Sequence, residues 1–298
     1  FVLSIKMAHI KIKKMDMKDT ILFGDCRKTI PTITEPVKMC VTSPPYYGLR
    51  NYGDEENQIG MEESPEKYIE QLVEVFRSVR DVLTDDGILW VNIGDTYYNY
   101  RSDGNYPKQT VSKTNQDLPS FSPVRGNKLE GYKSKDLIGI PWMLAFALRK
   151  DGWYLRQDII WHKPNPMPES VRDRCTKSHE YIFLLSKSKN YYFDVDSIKE
   201  STIDGKGLKR KKSVWNIKTK PYKDAHFAVY PPELIEPCIM SGSQKGDIIL
   251  DPFMGSGTTG MVAKSLGRHY IGCELHESYG KLIQNRVSEY TINLENFV

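Results

Sequence analysis

The chain has 298 residues, 42 Lys and Arg against 38 Asp and Glu for a formal net charge of +4, and a hydrophobic content of 39%. That length suits one large domain or a domain with a sizeable insertion, with enough core to fold unaided. No apolar run approaches the roughly 18 residues that span a bilayer, which excludes a helical membrane protein. The five cysteines, Cys26, Cys40, Cys175, Cys238 and Cys273, stand far apart without a C-x-x-C pair. They indicate neither a zinc site nor a disulfide framework, and a reducing cytoplasm is the expected location.

Residues 1–18 read as an N-terminal leader, too short in its apolar start for a secretory signal, with Met7, Met15 and Met17 as candidate native starts. From Thr20, Ile-Leu-Phe-Gly-Asp predicts a short strand ending in a turn, and Val37 to Thr42 a second strand halted by Ser43-Pro44-Pro45. Ser64-Pro65 starts a helix whose apolar face is Tyr68, Leu72, Val75, Phe76, Val79 and Leu83, and Asp85-Asp86-Gly87 is expected to end it. Ile88 to Ile93 is a continuous apolar run, the pattern of a strand buried on both faces. Residues 99–135, rich in Ser, Asn, Gly, Pro and Lys, are expected to form a long mobile loop.

Further on, Ile140 to Lys150 predicts a helix and Trp153 to Trp161 a strand running into a Pro-rich turn at Lys163 to Pro168. Tyr181 to Ser186 and Tyr191 to Val195 read as a hairpin. A basic stretch follows, with Lys206, Lys209, Arg210, Lys211, Lys212, Lys218, Lys220 and Lys223, which fits either a strip along phosphates or a solvated loop. Asp247 to Asp251, a glycine loop, a helix through Val262 and Leu266, and Tyr270 to Glu274 make a strand–helix–strand unit. The fold class is therefore α/β, Rossmann-like and doubly wound around a mostly parallel sheet.

Two motifs carry chemistry. Asp251-Pro252-Phe253-Met254-Gly255-Ser256-Gly257-Thr258 puts two glycines after a strand, and Glu274 follows Gly255 at about the twenty-residue spacing where a carboxylate grips ribose hydroxyls. The loop lacks the P-loop lysine and the third dinucleotide glycine, so another adenosine-containing cofactor fits better than ATP or NAD; the plain alternative is an ordinary strand-to-helix turn. Thr42-Ser43-Pro44-Pro45-Tyr46 ends its strand in two prolines without N–H donors. A carbonyl of this turn and the Ser43 hydroxyl are placed to accept both hydrogens of an aromatic amine, with Tyr46 as a stacking face. Alone, the same strip reads as a kinked loop.

Together these motifs resemble the beta class of DNA amino methyltransferases, in which the catalytic tetrapeptide precedes the glycine motif. Gly24-Asp25 is similar to that family's turn against the cofactor adenine, Trp161 to Pro166 to a segment near the target base, and His226 to Pro231 to a stretch beside the methionine end. The resemblance implies S-adenosyl-L-methionine as cofactor, held by Asp25, Cys26, Thr42, Asp251, Pro252, Phe253, Gly255, Ser256, Gly257, Thr258 and Glu274. It implies catalysis by Ser43, Pro44, Pro45 and Tyr46 without a metal. His162, Lys163, Asn165, Arg172 and Arg174 are expected to face the DNA, although Arg172 and Arg174 equally fit surface salt bridges.

In that family Ser-Pro-Pro-Tyr goes with N4-methylcytosine and Asp-Pro-Pro-Tyr with N6-methyladenine, so the resemblance implies cytosine in duplex DNA. Either side chain accepts a hydrogen bond, so adenine stays open as the alternative. A target amine inside a stacked duplex has to be flipped out. RNA, a protein amide, or a non-enzymatic DNA-binding module are the rival readings. Host defence with a cognate restriction endonuclease, and a homodimer, are partners compatible with the resemblance; no membrane partner is expected. The expected division is 19–165 as the first part of the catalytic domain, 166–223 as the target-recognition region, and 224–298 as the cofactor-binding part.

Overall fold

The computed structural model describes residues 16–48, 58–98, 128–220 and 230–295. The expectations for Met7, Met15, residues 99–127, Lys223 and His226 to Val229 lie outside them. In chain order the elements are β1 (Thr20–Phe23), the one-turn α1 (Cys26–Thr29), β2 (Val37–Thr42), α2 (Pro65–Val82), β3 (Leu83–Ile93), α3 (Ile140–Lys150), β4 (Tyr154–His162) and β5 (His179–Ser186). A small ribbon of β6 (Glu200–Ser201) and β7 (Leu208–Lys209) follows, then β8 (Val214–Asn216), α4 (Pro232–Gly242), β9 (Ile248–Asp251), α5 (Thr258–Ser265), β10 (His269–Glu274) and α6 (Gly280–Glu295).

Eight strands form one sheet in the order β1-β10-β9-β2-β3-β5-β4-β8. Every pairing is parallel except those of β5, which runs against both β3 and β4. Alternate residues feed two cores. Leu89, Val91, Phe183, Leu185, Leu250 and Ile271 face the side covered by α2 and α3, while Ile88, Trp90, Ile182, Leu184, Ile249 and Tyr270 face α4, α5 and α6. Apolar residues on both faces of each strand are what a sheet sandwiched between helix layers requires. No helix among the described residues is long and apolar enough to cross a membrane.

α2 starts as its sequence demands: the Ser64 hydroxyl accepts from the Lys67 amide and Pro65 occupies the first turn. Its end differs from expectation. The helix stops at Val82, and Leu83 already pairs with Val37 before the ladder resumes at Met39 and Ile88. Thr84 to Gly87 form a bulge, not a helix stop, because Lys38 pairs with Asp86 across the strands. The hairpin expected at Tyr181 to Val195 is also absent. β5 has both edges occupied, by β3 and β4, so Tyr191 to Val195 has no strand to join. It runs instead over the sheet, with the Tyr192 amide on the Asp86 carbonyl and Phe193 against Trp90.

The start of the fold is pinned by Asp19, which adopts a left-handed φ of 57° and bonds Lys264 Nζ at 2.8 Å and His269 Nδ1 at 3.0 Å. Burial tends to raise the Asp19 carboxyl, but the hydrogen bonds from Lys264 and His269 hold it below its ordinary value of 3.8. A depressed carboxyl contributes stability above its unfolded value, and this is lost as pH falls through the folded one. Asn tolerates the same backbone angle. Asp19→Asn is expected to lower stability by about 1 kcal/mol at neutral pH, with the difference in urea midpoint shrinking in acid.

Candidate active site at the carboxyl edge of the sheet

Parallel pairing brings the carboxyl ends of β1, β10, β9, β2, β3, β4 and β8 to one edge, and antiparallel β5 brings its first residues there. The two sequence motifs meet because β2 and β9 are neighbours. The Thr42 hydroxyl donates to Asp251 Oδ1 at 2.6 Å, the Phe253 amide to the same oxygen at 3.0 Å, and Tyr230 and Thr259 bond the other oxygen. Thr42 and Asp251 are therefore turned inward, as a latch between the strip and the glycine loop. Burial, only partly offset by these hydrogen bonds, raises the Asp251 carboxyl above its ordinary value.

The glycine loop leaves β9 at Pro252. Gly255 and Gly257 have φ of +52° and +86°, and a Cβ on Gly257 would lie 2.8 Å from Ile283 Cγ2, so both conformation and packing require glycine there. A Cβ on Gly255, by contrast, meets nothing closer than 3.9 Å. The Gly255 amide donates to Glu274 Oε2 at 2.9 Å and the His276 amide to Oε1 at 3.1 Å. Burial raises the Glu274 carboxyl despite these two bonds. Ser256 is held by Arg286, and the buried Thr258 hydroxyl has no partner among the described residues. An open glycine surface, an orphaned hydroxyl and a carboxylate at the next strand end fit an adenosine-bearing ligand.

Asp25 is the N-cap of α1: it accepts from the Arg27 amide at 3.0 Å and from the Arg27 guanidinium. Burial tends to raise its carboxyl, and the Arg27 bonds outweigh that and hold it low. Cys26 is buried in the core, with its thiol pushed up by burial.

On the Ser43-Pro44-Pro45-Tyr46 strip, Tyr68 donates to the Pro45 carbonyl at 2.7 Å. The Tyr46 ring lies on Gly94, where a Cβ would come within 2.7 Å of its Cε2. Its hydroxyl donates to Glu180 Oε2 at 2.7 Å. Burial pushes the Tyr46 phenol well above 10, and the Glu180 charge beside it adds to this.

The expected DNA-facing residues divide. Lys163 pairs with Glu180 and lies 4.3 Å from the Trp161 ring centroid, beside the strip. His162 Nδ1 is 3.3 Å from Asn216 Oδ1 at the same edge. Asn165 exchanges two bonds with the Thr219 backbone, and Arg174 pairs with Glu169 over the Tyr97 ring. Arg172 is exposed. The described part of the basic stretch is mostly exposed, with Lys209 paired to Glu200 and Lys220 to Glu233. Sequence reasoning missed Glu180 and Lys177. Burial lowers the Lys177 ammonium although Asp95, Glu180 and Glu169 act to raise it.

The N6/N4 methyltransferase family model, described as DNA methylase, matches residues 37–285. Type II methyltransferase M.SmaI of Serratia marcescens is 51% identical over 90% of both chains, and M.Cfr9I of Citrobacter freundii is 46% identical over 98% of this chain and 95% of its own. The solved PvuII DNA methyltransferase (cytosine-N4-specific) superposes with a TM-score of 0.65 at 18% identity, covering 90% of this chain and 85% of its own. A DNA modification methylase of Thermus thermophilus, solved with S-adenosyl-L-methionine, gives 0.61 at 23% identity over 91% and 93%. The chain belongs to the DNA methylase family. It is a DNA methyltransferase of the N4/N6 type, on the Rossmann-like α/β fold.

Proposed function

We propose that the protein methylates the N4 amine of a cytosine flipped out of duplex DNA, within a restriction–modification system that includes a cognate endonuclease. The observation that carries this reading is the neutral Ser43 side chain at the end of β2, the strand that pairs with β9 and so lies next to the glycine loop. S-adenosyl-L-methionine supplies the electrophilic methyl group when bound. Gly255, Thr258 and Glu274 are the residues to hold it, with Phe23, half-exposed and paired in register with Glu274, as an apolar face beside them. Asp251 and Thr42 fix the distance between that loop and the strip.

A cytosine amine is a weak nucleophile because its lone pair is delocalised into the ring. Two acceptors, Ser43 Oγ and the Pro44 carbonyl, bind its hydrogens and aim the lone pair, while Tyr46 supplies a ring face. Adenine's amine has the same hydrogens, and what supports cytosine is the serine itself. Residues 166–223 are the region proposed to read the recognition sequence.

The test is to methylate mixed-sequence duplex DNA with labelled cofactor, digest it and identify the labelled nucleoside. N4-methylcytosine is the expected product; N6-methyladenine would overturn the base assignment, and preferential labelling of RNA the substrate. Ser43→Ala is expected to reduce single-turnover methylation about thirtyfold, the value of about 2 kcal/mol of lost hydrogen bonding, with cofactor affinity unchanged. Full turnover would remove Ser43 from the reaction.

A further inference from the structure

A base that swings out of a duplex leaves a gap in the stack, and the base-flipping reading above, on which this inference rests, supplies nothing to fill it. Met167 is placed for that. It stands in Lys163-Pro164-Asn165-Pro166-Met167-Pro168, the run that leaves the carboxyl end of β4, and it is 84% exposed. One exposed apolar side chain is ordinary; the way this one is mounted is not. Pro168 confines Met167 to extended backbone, and Pro166 does the same for Asn165. The Asn165 side chain exchanges two bonds with the Thr219 backbone, at 3.1 and 3.0 Å. Glu169 pairs with Arg174, whose guanidinium lies 3.7 Å from the Tyr97 ring centroid. Met167 is thus carried on a strut fixed two residues to either side.

The strut begins beside the reacting end of the sheet. Lys163 donates its amide to the Ser178 carbonyl at 2.7 Å and pairs through its side chain with Glu180, which accepts from the Tyr46 hydroxyl at 2.7 Å. Four residues of extended chain reach at most about 14 Å, so Met167 stays within about four base-pair steps of Lys163. The neighbouring segments are cationic, with Arg172 and Lys218, the residue before Thr219, both exposed. Phosphates drawn to those cations bring a duplex onto the strut. We propose that Met167 is the wedge that enters the duplex stack at the place of the flipped base. Methionine suits the gap, because its chain is unbranched and its polarizable thioether packs against ring faces. Insertion also takes out of water an apolar side chain that is exposed before DNA binds. The wedge forms no covalent bond; it keeps the extruded base from returning, which makes Met167 a positioning residue.

The test is single-turnover methylation of two duplexes that carry the sequence methylated by the wild type. One is fully paired; in the other the target base faces an abasic site, which lowers the cost of extrusion. Met167→Ala is expected to lose about tenfold in rate on the paired duplex and to come within about threefold of wild type on the other, with cofactor affinity unchanged. Met167→Leu, which keeps the apolar bulk, is expected to stay within about threefold of wild type on both. Both substitutions fall on an exposed side chain, so the fold is not at stake. A fluorescent purine analogue at the target position gives a second readout, brightening on wild-type binding and less so with Met167→Ala. A rate near wild type on the paired duplex, an equal loss on both duplexes, or an unchanged fluorescence rise would overturn the wedge. The wild-type product identifies the base, and either base leaves the wedge standing. Wild-type turnover of RNA in place of duplex DNA would overturn both readings, whereas the variant ratios bear on the wedge alone.

Discussion

Asp251→Ala is expected to lower stability by about 3 to 5 kcal/mol and to abolish cofactor binding. Asp251 is almost fully buried and receives the Thr42 hydroxyl, the Phe253 amide, the Tyr230 hydroxyl and the Thr259 hydroxyl. Truncation removes the shared acceptor of four donors in a dry interior; Tyr230 and Thr259 can still bond each other, and each donor left unpaired carries a desolvation penalty of about 1 to 3 kcal/mol, reduced by whatever water enters. It also unlatches β2 from the turn that starts the glycine loop, so the surface that receives the cofactor loses its shape. Urea unfolding and calorimetric titration with S-adenosyl-L-methionine measure the two effects, and a stable variant that still binds the cofactor would refute the latch.

The same residue gives a pH signature. Its carboxyl is raised by burial above the ordinary 3.8. Between those two values the folded chain retains a proton that the unfolded chain has lost, so stability falls as pH rises through that window. The slope belongs to the ionisation and should diminish in Asp251→Asn.

Local patterns announced much of this architecture. Ile88 to Ile93 is apolar at every position but Asn92, and it became a strand packed on both faces; Ser64-Pro65 and the spacing from Tyr68 to Val79 became α2. That the strip after β2 and the glycine loop after β9 share one edge followed from the α/β order, since such folds collect strand ends there. Glu180 was hidden because functional polar residues are expected after strands, whereas β5 runs backwards and delivers its first residues to that edge. Asp25 was legible as a turn residue after β1; its place as the cap of α1 and its commitment to Arg27 were not. Turn chemistry at Lys187 to Asn190 suggested a hairpin, and only the sheet order reveals that β5 has no free edge.

Gly94→Ala is expected to reduce single-turnover methylation about a hundredfold or more while leaving stability within about 1 kcal/mol of wild type. Gly94 follows β3 without a left-handed φ, so its backbone admits alanine. The obstacle is Tyr46, whose Cε2 would sit 2.7 Å from the new methyl group. Non-bonded carbons need about 3.5 Å or more, so the ring has to move by nearly an ångström, carrying its hydroxyl off Glu180 and its face away from a stacked base. A displacement of that size at a reacting centre is worth about a hundredfold. The glycine loop sits on β9 and does not touch Gly94, so cofactor affinity should hold, unlike the response of Asp251→Ala. Undiminished turnover in Gly94→Ala would mean that the position of the Tyr46 ring is not used in the reaction. Loss of turnover together with cofactor affinity would place Gly94 in the framework of the sheet edge, because a displaced Tyr46 ring alone leaves the glycine loop untouched.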